Sequence, residues 1–106
     1  MSKKPRARTL RREQARSNEK SARDREKLAR LETGGSPDRP VVLESASQIE
    51  VHARSLRCPR CEGDLHIEEH GAPTVGERRL RVVRMVCPRC GARREAWFRI
   101  EAKLPS

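Results

Sequence analysis

Cys58-Pro59-Arg60-Cys61 and Cys87-Pro88-Arg89-Cys90 are two copies of one tetrapeptide, and together they hold all four cysteines of the 106-residue chain. Twenty-five residues separate Cys61 from Cys87. Two Cys-x-x-Cys pairs at this spacing predict one tetrahedral zinc site with Cys58, Cys61, Cys87 and Cys90 as ligands. The reason is geometric. A two-residue spacer lets a tight turn aim both sulfurs at one ion, about 2.3 Å away, and a second turn facing the first completes the tetrahedron. Proline pre-sets φ for each turn, and Gly91 tolerates the positive φ with which the chain folds back. With four protein ligands no position stays open for water or substrate, so the expected Zn²⁺ is single and structural.

Other readings of the cysteines are weaker. Disulfides do not suit a chain with no export signal. A thioredoxin-like pair needs a βαβ context that is missing here. An iron–sulfur cluster also takes four thiolates, but zinc is the commoner occupant of paired knuckles joined by a hairpin. His52, His66 and His70 are read as solvent-exposed side chains and not as ligands.

Around the knuckles the sequence alternates as strands do. Asp64 to His70 sets Leu65 and Ile67 on one face and His66, Glu68 and His70 on the other. Gly71, Pro73 and Gly76 bound a loop. Leu80 to Val86 reads as a central strand, covered in part on both faces. Arg93 to Ala102 alternates again, with Ala96, Phe98, Ile100 and Ala102 opposite Glu95, Trp97, Arg99 and Glu101. Upstream, Val41-Val42-Leu43 predicts a short strand. Gln48 to Arg57 satisfies both strand and helix spacing, and Ser47 with Glu50 forms a capping-box pattern. The neighbouring strands tip the expectation towards extended structure.

Two Cys-Pro-x-Cys knuckles separated by a hairpin, with a strand after the second, resemble the zinc-ribbon fold group over about residues 56–104. Glu62 departs from that pattern, because it stands where glycine usually follows the first pair and Gly63 comes one step later. A looser first turn, or one shifted by a residue, is therefore expected. The resemblance implies a small, mainly β domain, a zinc ribbon with a three-stranded antiparallel sheet. It also implies the settings in which such ribbons occur: transcription machinery, ribosomal and RNA-binding proteins, and protein-docking modules. Fold alone does not choose among these.

The ribbon is not the whole chain. Residues 1–40 carry 13 basic and 6 acidic side chains, residues 41–57 two of each, and residues 58–106 ten basic and seven acidic. The first forty lack Val, Ile and aromatic residues, and their large aliphatics are Leu10, Leu28 and Leu31. That composition does not repay roughly 1–2 kcal/mol per residue of backbone entropy. Thr9 to Glu32 is nevertheless rich in helix formers, with Glu19–Arg23 and Glu26–Arg30 as favourable i,i+4 pairs. The expected organisation is a basic, disordered or marginally helical arm with its Gly-Pro linker over 1–40, a short strand or strands over 41–57, and a zinc ribbon over 58–104.

Composition narrows the function. The net charge is +10, only 34% of residues are apolar, and Trp97 and Phe98 are the only Phe, Trp or Tyr residues. A deep, dry catalytic pocket needs more apolar wall than this, and there is no Gly-rich phosphate loop, so no enzyme is expected. No stretch approaches the ~18 apolar residues of a membrane span, and the N-terminus lacks a signal-peptide h-region, so a cytoplasmic protein is expected. The charge invites nucleic acid, through the arm and through an Arg-rich ribbon surface of Arg60, Arg79, Arg81, Arg89, Arg93 and Arg94, with Trp97 as an exposed stacking ring. The alternative is a protein-docking ribbon in a transcription- or ribosome-associated complex. No small-molecule substrate or membrane partner is expected.

Overall fold

The computed structural model describes residues 6–101. Helix α1 runs from Ala7 to Leu31, strand β1 from Val41 to Leu43 and helix α2 from Ser47 to Arg54. Strand β2 (His66–Gly71) leads into a small ribbon, β3 (Thr74–Val75) and β4 (Arg78–Arg79), and then come β5 (Arg81–Val86) and β6 (Arg93–Ile100). The main sheet is four-stranded, ordered β1-β6-β5-β2.

Strands β2, β5 and β6 form the expected antiparallel trio, with Val83 opposite both His70 and Ala96. A fourth strand corrects the three-stranded expectation. β1 joins the outer edge of β6 in parallel, pairing Val41 with Phe98 and Leu43 with Ile100, and makes the sheet mixed. The loop expected between Gly71 and Gly76 also gains structure, since Thr74 pairs with Arg79 across a tight turn.

The segment after β1 is helical and not extended. Ile49 and Ala53, one turn apart on α2, are fully buried against Val83, Met85, Ala96 and Phe98. Strand spacing would also have put both on one face, but only a helix lets them cap the sheet while the chain crosses from one edge to the other. The Ser47–Glu50 box does not form. Instead Gln48 Oε1 accepts from the backbone N–H groups of Glu44 and Ser45, at 3.0 and 3.3 Å. His52, expected in solvent, is half-buried and meets the Phe98 ring edge-on at 5.4 Å.

On the other face lie Leu80, Val82 and Trp97. Here the linker folds back, and the backbone N–H of Trp97 donates to Gly34 O at 2.7 Å. Trp97 does lie opposite Phe98, as the alternation requires, but it is only 9% exposed. The exposed stacking platform expected at this residue is therefore absent.

Helix α1 makes the molecule elongated, at 77 × 24 × 23 Å. Ala22 is its one buried residue, and Glu26 and Ala29 beside it are half-buried. Every position from Arg6 to Ser21 is exposed, as are Leu28 and Leu31.

Candidate metal centre

Both knuckles are six-residue loops closed in the same way. In the first, the Cys58 N–H donates to Gly63 O and the Glu62 N–H to Cys58 O, both at 2.9 Å. In the second, the Cys87 N–H donates to Ala92 O and the Gly91 N–H to Cys87 O, both at 2.8 Å. The bridge Arg57–Asp64 holds the mouth of the first loop, and the β5–β6 pair Val86–Arg93 holds the second. The turn residues after each pair, Glu62 and Gly91, take left-handed φ of 61° and 77°. The first turn is thus neither loose nor shifted. Glu62 adopts the conformation that glycine takes in the second knuckle, where a side chain ordinarily costs roughly 1–2 kcal/mol. Gly63 is needed for a different reason. A Cβ there would stand 3.2 Å from Cys61 Sγ, tighter than ordinary contact, so the backbone passes close against the sulfurs and a side chain would push Cys61 by a few tenths of an ångström.

The loops face each other and bring the four sulfurs within 4.8 Å of one another. Cys58 Sγ lies 3.5 Å from Cys90 Sγ, and Cys61 Sγ lies 3.5 Å from Cys87 Sγ. A tetrahedron with ~2.3 Å metal–sulfur bonds has edges of about 3.8 Å, so the cluster has the dimensions of one four-coordinate ion. Cys58 and Cys87 are buried, Cys61 is half-buried and Cys90 is exposed, so the site sits at the domain surface with its inner half in the core.

The thiols are electrostatically unequal. The backbone N–H of Cys90, then that of Arg89, points at Cys87 and draws its pKa down to about 6. At Cys90 the Ala92 N–H pulls downward, but burial and the three facing thiols outweigh it and push the value up to about 12. Cys61 behaves alike: the Gly63 N–H lowers it, while Cys87 and burial raise it to a net upward shift. One thiolate at neutral pH thus suppresses ionisation of its neighbours, and a divalent cation would reverse that.

Helix α1 docks on the first knuckle. Arg25 donates from Nε to Pro59 O at 3.2 Å and from Nη2 to Arg60 O at 2.6 Å. Arg60 in return pairs with Glu19 and with Glu26, the latter at 2.9 Å. Arg60 holds the Glu19 carboxyl below its usual range. Further along, Arg94 reaches Glu32 at 3.8 Å and donates to Arg57 O at 2.8 Å. The periodicity that docks α1 is Glu19, Ala22, Glu26 and Ala29, spaced three, four and three. It is written in small and acidic residues, so a search for apolar stripes passes over it.

The arginines singled out from sequence do not form one surface. Arg60 and Arg94 are held by α1 and its C-terminal cap residue Glu32, and Arg93 lies 3.1 Å from Glu68. Arg79 is exposed on β4, Arg81 is half-buried on β5, and Arg89 is exposed at the tip of the second knuckle. His66 and His70 are exposed on β2, and the cluster among the described residues that could hold a metal ion contains no histidine. No described helix is long and apolar enough to cross a membrane.

No protein-family model, curated protein or solved structure matches the chain.

Proposed function

We propose that this chain is a non-enzymatic binding module of the zinc-ribbon type, in which one structural Zn²⁺ staples the sheet and the basic arm engages nucleic acid. The observation that carries the metal reading is the cluster of four sulfurs within 4.8 Å, delivered by two matched loops. An all-thiolate tetrahedral set favours zinc or iron–sulfur chemistry. A cluster places sulfide and more than one iron between its thiolates and would hold them further apart than the 3.5 Å contacts found here. Zinc binding of this kind contributes about 10–16 kcal/mol of apparent folding free energy, which a domain with so small a core needs.

The nucleic-acid reading is supported by charge and exposure. Between Ala7 and Asn18, α1 carries four arginines and one glutamate, all exposed. The sheet offers fewer free cations, because Arg60, Arg84, Arg93 and Arg94 are paired to carboxylates. The arm is therefore the seat of binding and the ribbon its anchor. Fluorescence anisotropy of labelled oligonucleotides with the zinc-loaded full chain tests this. Binding that weakens steeply with salt is expected. No binding at low salt to any nucleic acid would reject the reading in favour of a protein partner.

A further inference from the structure

Along α1, Arg12, Arg16, Lys20, Arg23, Lys27 and Arg30 follow at intervals of four, four, three, four and three residues. Residues three and four apart share a helix face, so these six cations form one stripe beside the face that docks on the knuckle. All six are exposed. The acidic residues of α1 flank the stripe: Glu19 and Glu26 on one side are turned to Arg60, and Glu13 and Asp24 border it on the other. Arg23 and Arg30 lie 3.6 and 3.8 Å from Glu19 and Glu26, while Arg12, Arg16, Lys20 and Lys27 have no ion pair among the described residues.

We infer that this stripe is a phosphate-binding surface and that its partner is B-form duplex DNA, held without sequence preference. The inference rests on the nucleic-acid reading above and names the surface and the partner. Length and charge match. From Arg12 to Arg30 is about 27 Å of helix, over which one DNA strand presents about eight phosphates. An α-helix about 10–12 Å across fits the ~12 Å major groove of B-DNA, whereas the A-form groove of duplex RNA is deep and narrow. Single strands are normally held by stacking on aromatic rings. The chain has only Trp97 and Phe98, 9% and 0% exposed, so it has no such platform. An interfacial membrane helix needs an apolar face, and the large aliphatics of α1 are just Leu10, Leu28 and Leu31.

The helix is also built against itself when alone. Neighbouring like charges destabilise an isolated helix. Its N-cap residue, Arg6, makes no side-chain cap, and its first turn holds no acidic residue to offset the helix dipole. A polyanion along the stripe relieves the repulsion among its cations. DNA binding therefore raises the helix content of the arm.

The test uses the zinc-loaded full chain, a random-sequence DNA duplex, its single strands, an RNA duplex of the same sequence and anionic lipid vesicles. Six phosphate contacts predict a log–log salt slope of about −5, roughly a 1,000-fold loss of affinity between 50 and 200 mM salt. The quadruple variant Arg12→Gln/Arg16→Gln/Lys20→Gln/Lys27→Gln keeps good helix formers. Its slope should fall to about −2, with roughly tenfold loss over the same range. Arg54→Gln/Arg78→Gln, exposed on α2 and on the small ribbon, should leave the slope near the parent value. Circular dichroism should show helix content rising with duplex DNA for the parent and little for the quadruple variant. If DNA binds but the quadruple variant keeps the parent slope, the stripe is wrong while the nucleic-acid reading stands. Equal or tighter binding to single strands, duplex RNA or vesicles overturns duplex DNA as the partner. If no nucleic acid binds, both readings fail.

Discussion

Glu62 shows how a single position reports on the metal loop. Its left-handed φ of 61° repeats that of Gly91 in the matched turn, and the side chain gains nothing evident from the strain. Glu62→Gly should therefore stabilise the metal-loaded protein by about 1 kcal/mol, seen as a higher unfolding midpoint in denaturant. An unchanged or lower midpoint would show that the Glu62 side chain makes a compensating contact. The thiols support a second prediction at this scale. Cys61 and Cys90 have raised pKa values and are protonated in the folded apo-protein at pH 7, whereas Cys87, drawn down to about 6, is largely ionised. Loading a divalent metal at pH 7 should release at least about two protons per chain, and metal affinity should weaken as pH falls. Calorimetry in buffers of different ionisation enthalpy measures that count, and release of fewer than one proton would contradict the assignment. The convergence of the four cysteines was legible in the sequence because two Cys-x-x-Cys turns at that spacing can aim their sulfurs at one point. Trp97 was legible only in part: alternation fixes its face, but not its burial, nor the linker whose Gly34 carbonyl accepts from its backbone N–H.

Element by element, legibility followed the range of the contacts that decide the outcome. Strands β5 and β6 carry their faces in period-two patterns that depend on adjacent residues. Helix α2 does not, since Ile49 and Ala53 satisfy either period, and the choice is made by the Phe98–Met85 surface they cover. Strand β1 offers only three residues, and its parallel pairing with β6 joins positions more than fifty residues apart. Docking of α1 also escaped a sequence reading, because its contacts are Glu19 and Glu26 on Arg60 and Arg25 on two knuckle carbonyls. Arg60→Gln should release the arm without removing the metal. Limited proteolysis should then cut within residues 19–31 faster than in the parent, at unchanged metal content, and an equal rate would mean the ion pairs do not hold the helix. Acid should have a related effect. The Glu19 carboxyl is lowered by Arg60, so its contribution is fully present at neutral pH and is lost only as pH falls below 4.5 and through the lowered value.

At the scale of the whole molecule, the formal charge of +10 is unevenly placed, and four thiolates with one Zn²⁺ would bring it to about +8 by adding −4 and +2. The sheet with its knuckles would then be close to neutral, and the positive charge would lie along a helix tied to that sheet by Arg60 and Arg94. In this account the metal acts as a staple: it holds the first knuckle in the shape on which α1 docks, and so aims the basic helix. Both roles rest on four cysteines converging on one ion. Elemental analysis of protein purified under reducing conditions, with a thiol titration before and after chelation, tests this most directly. One zinc per chain and four thiols that react only after chelation are expected, with loss of the β-sheet signal on chelation. Protein that folds with no metal and four freely reactive thiols, or that holds iron with acid-labile sulfide, would contradict it.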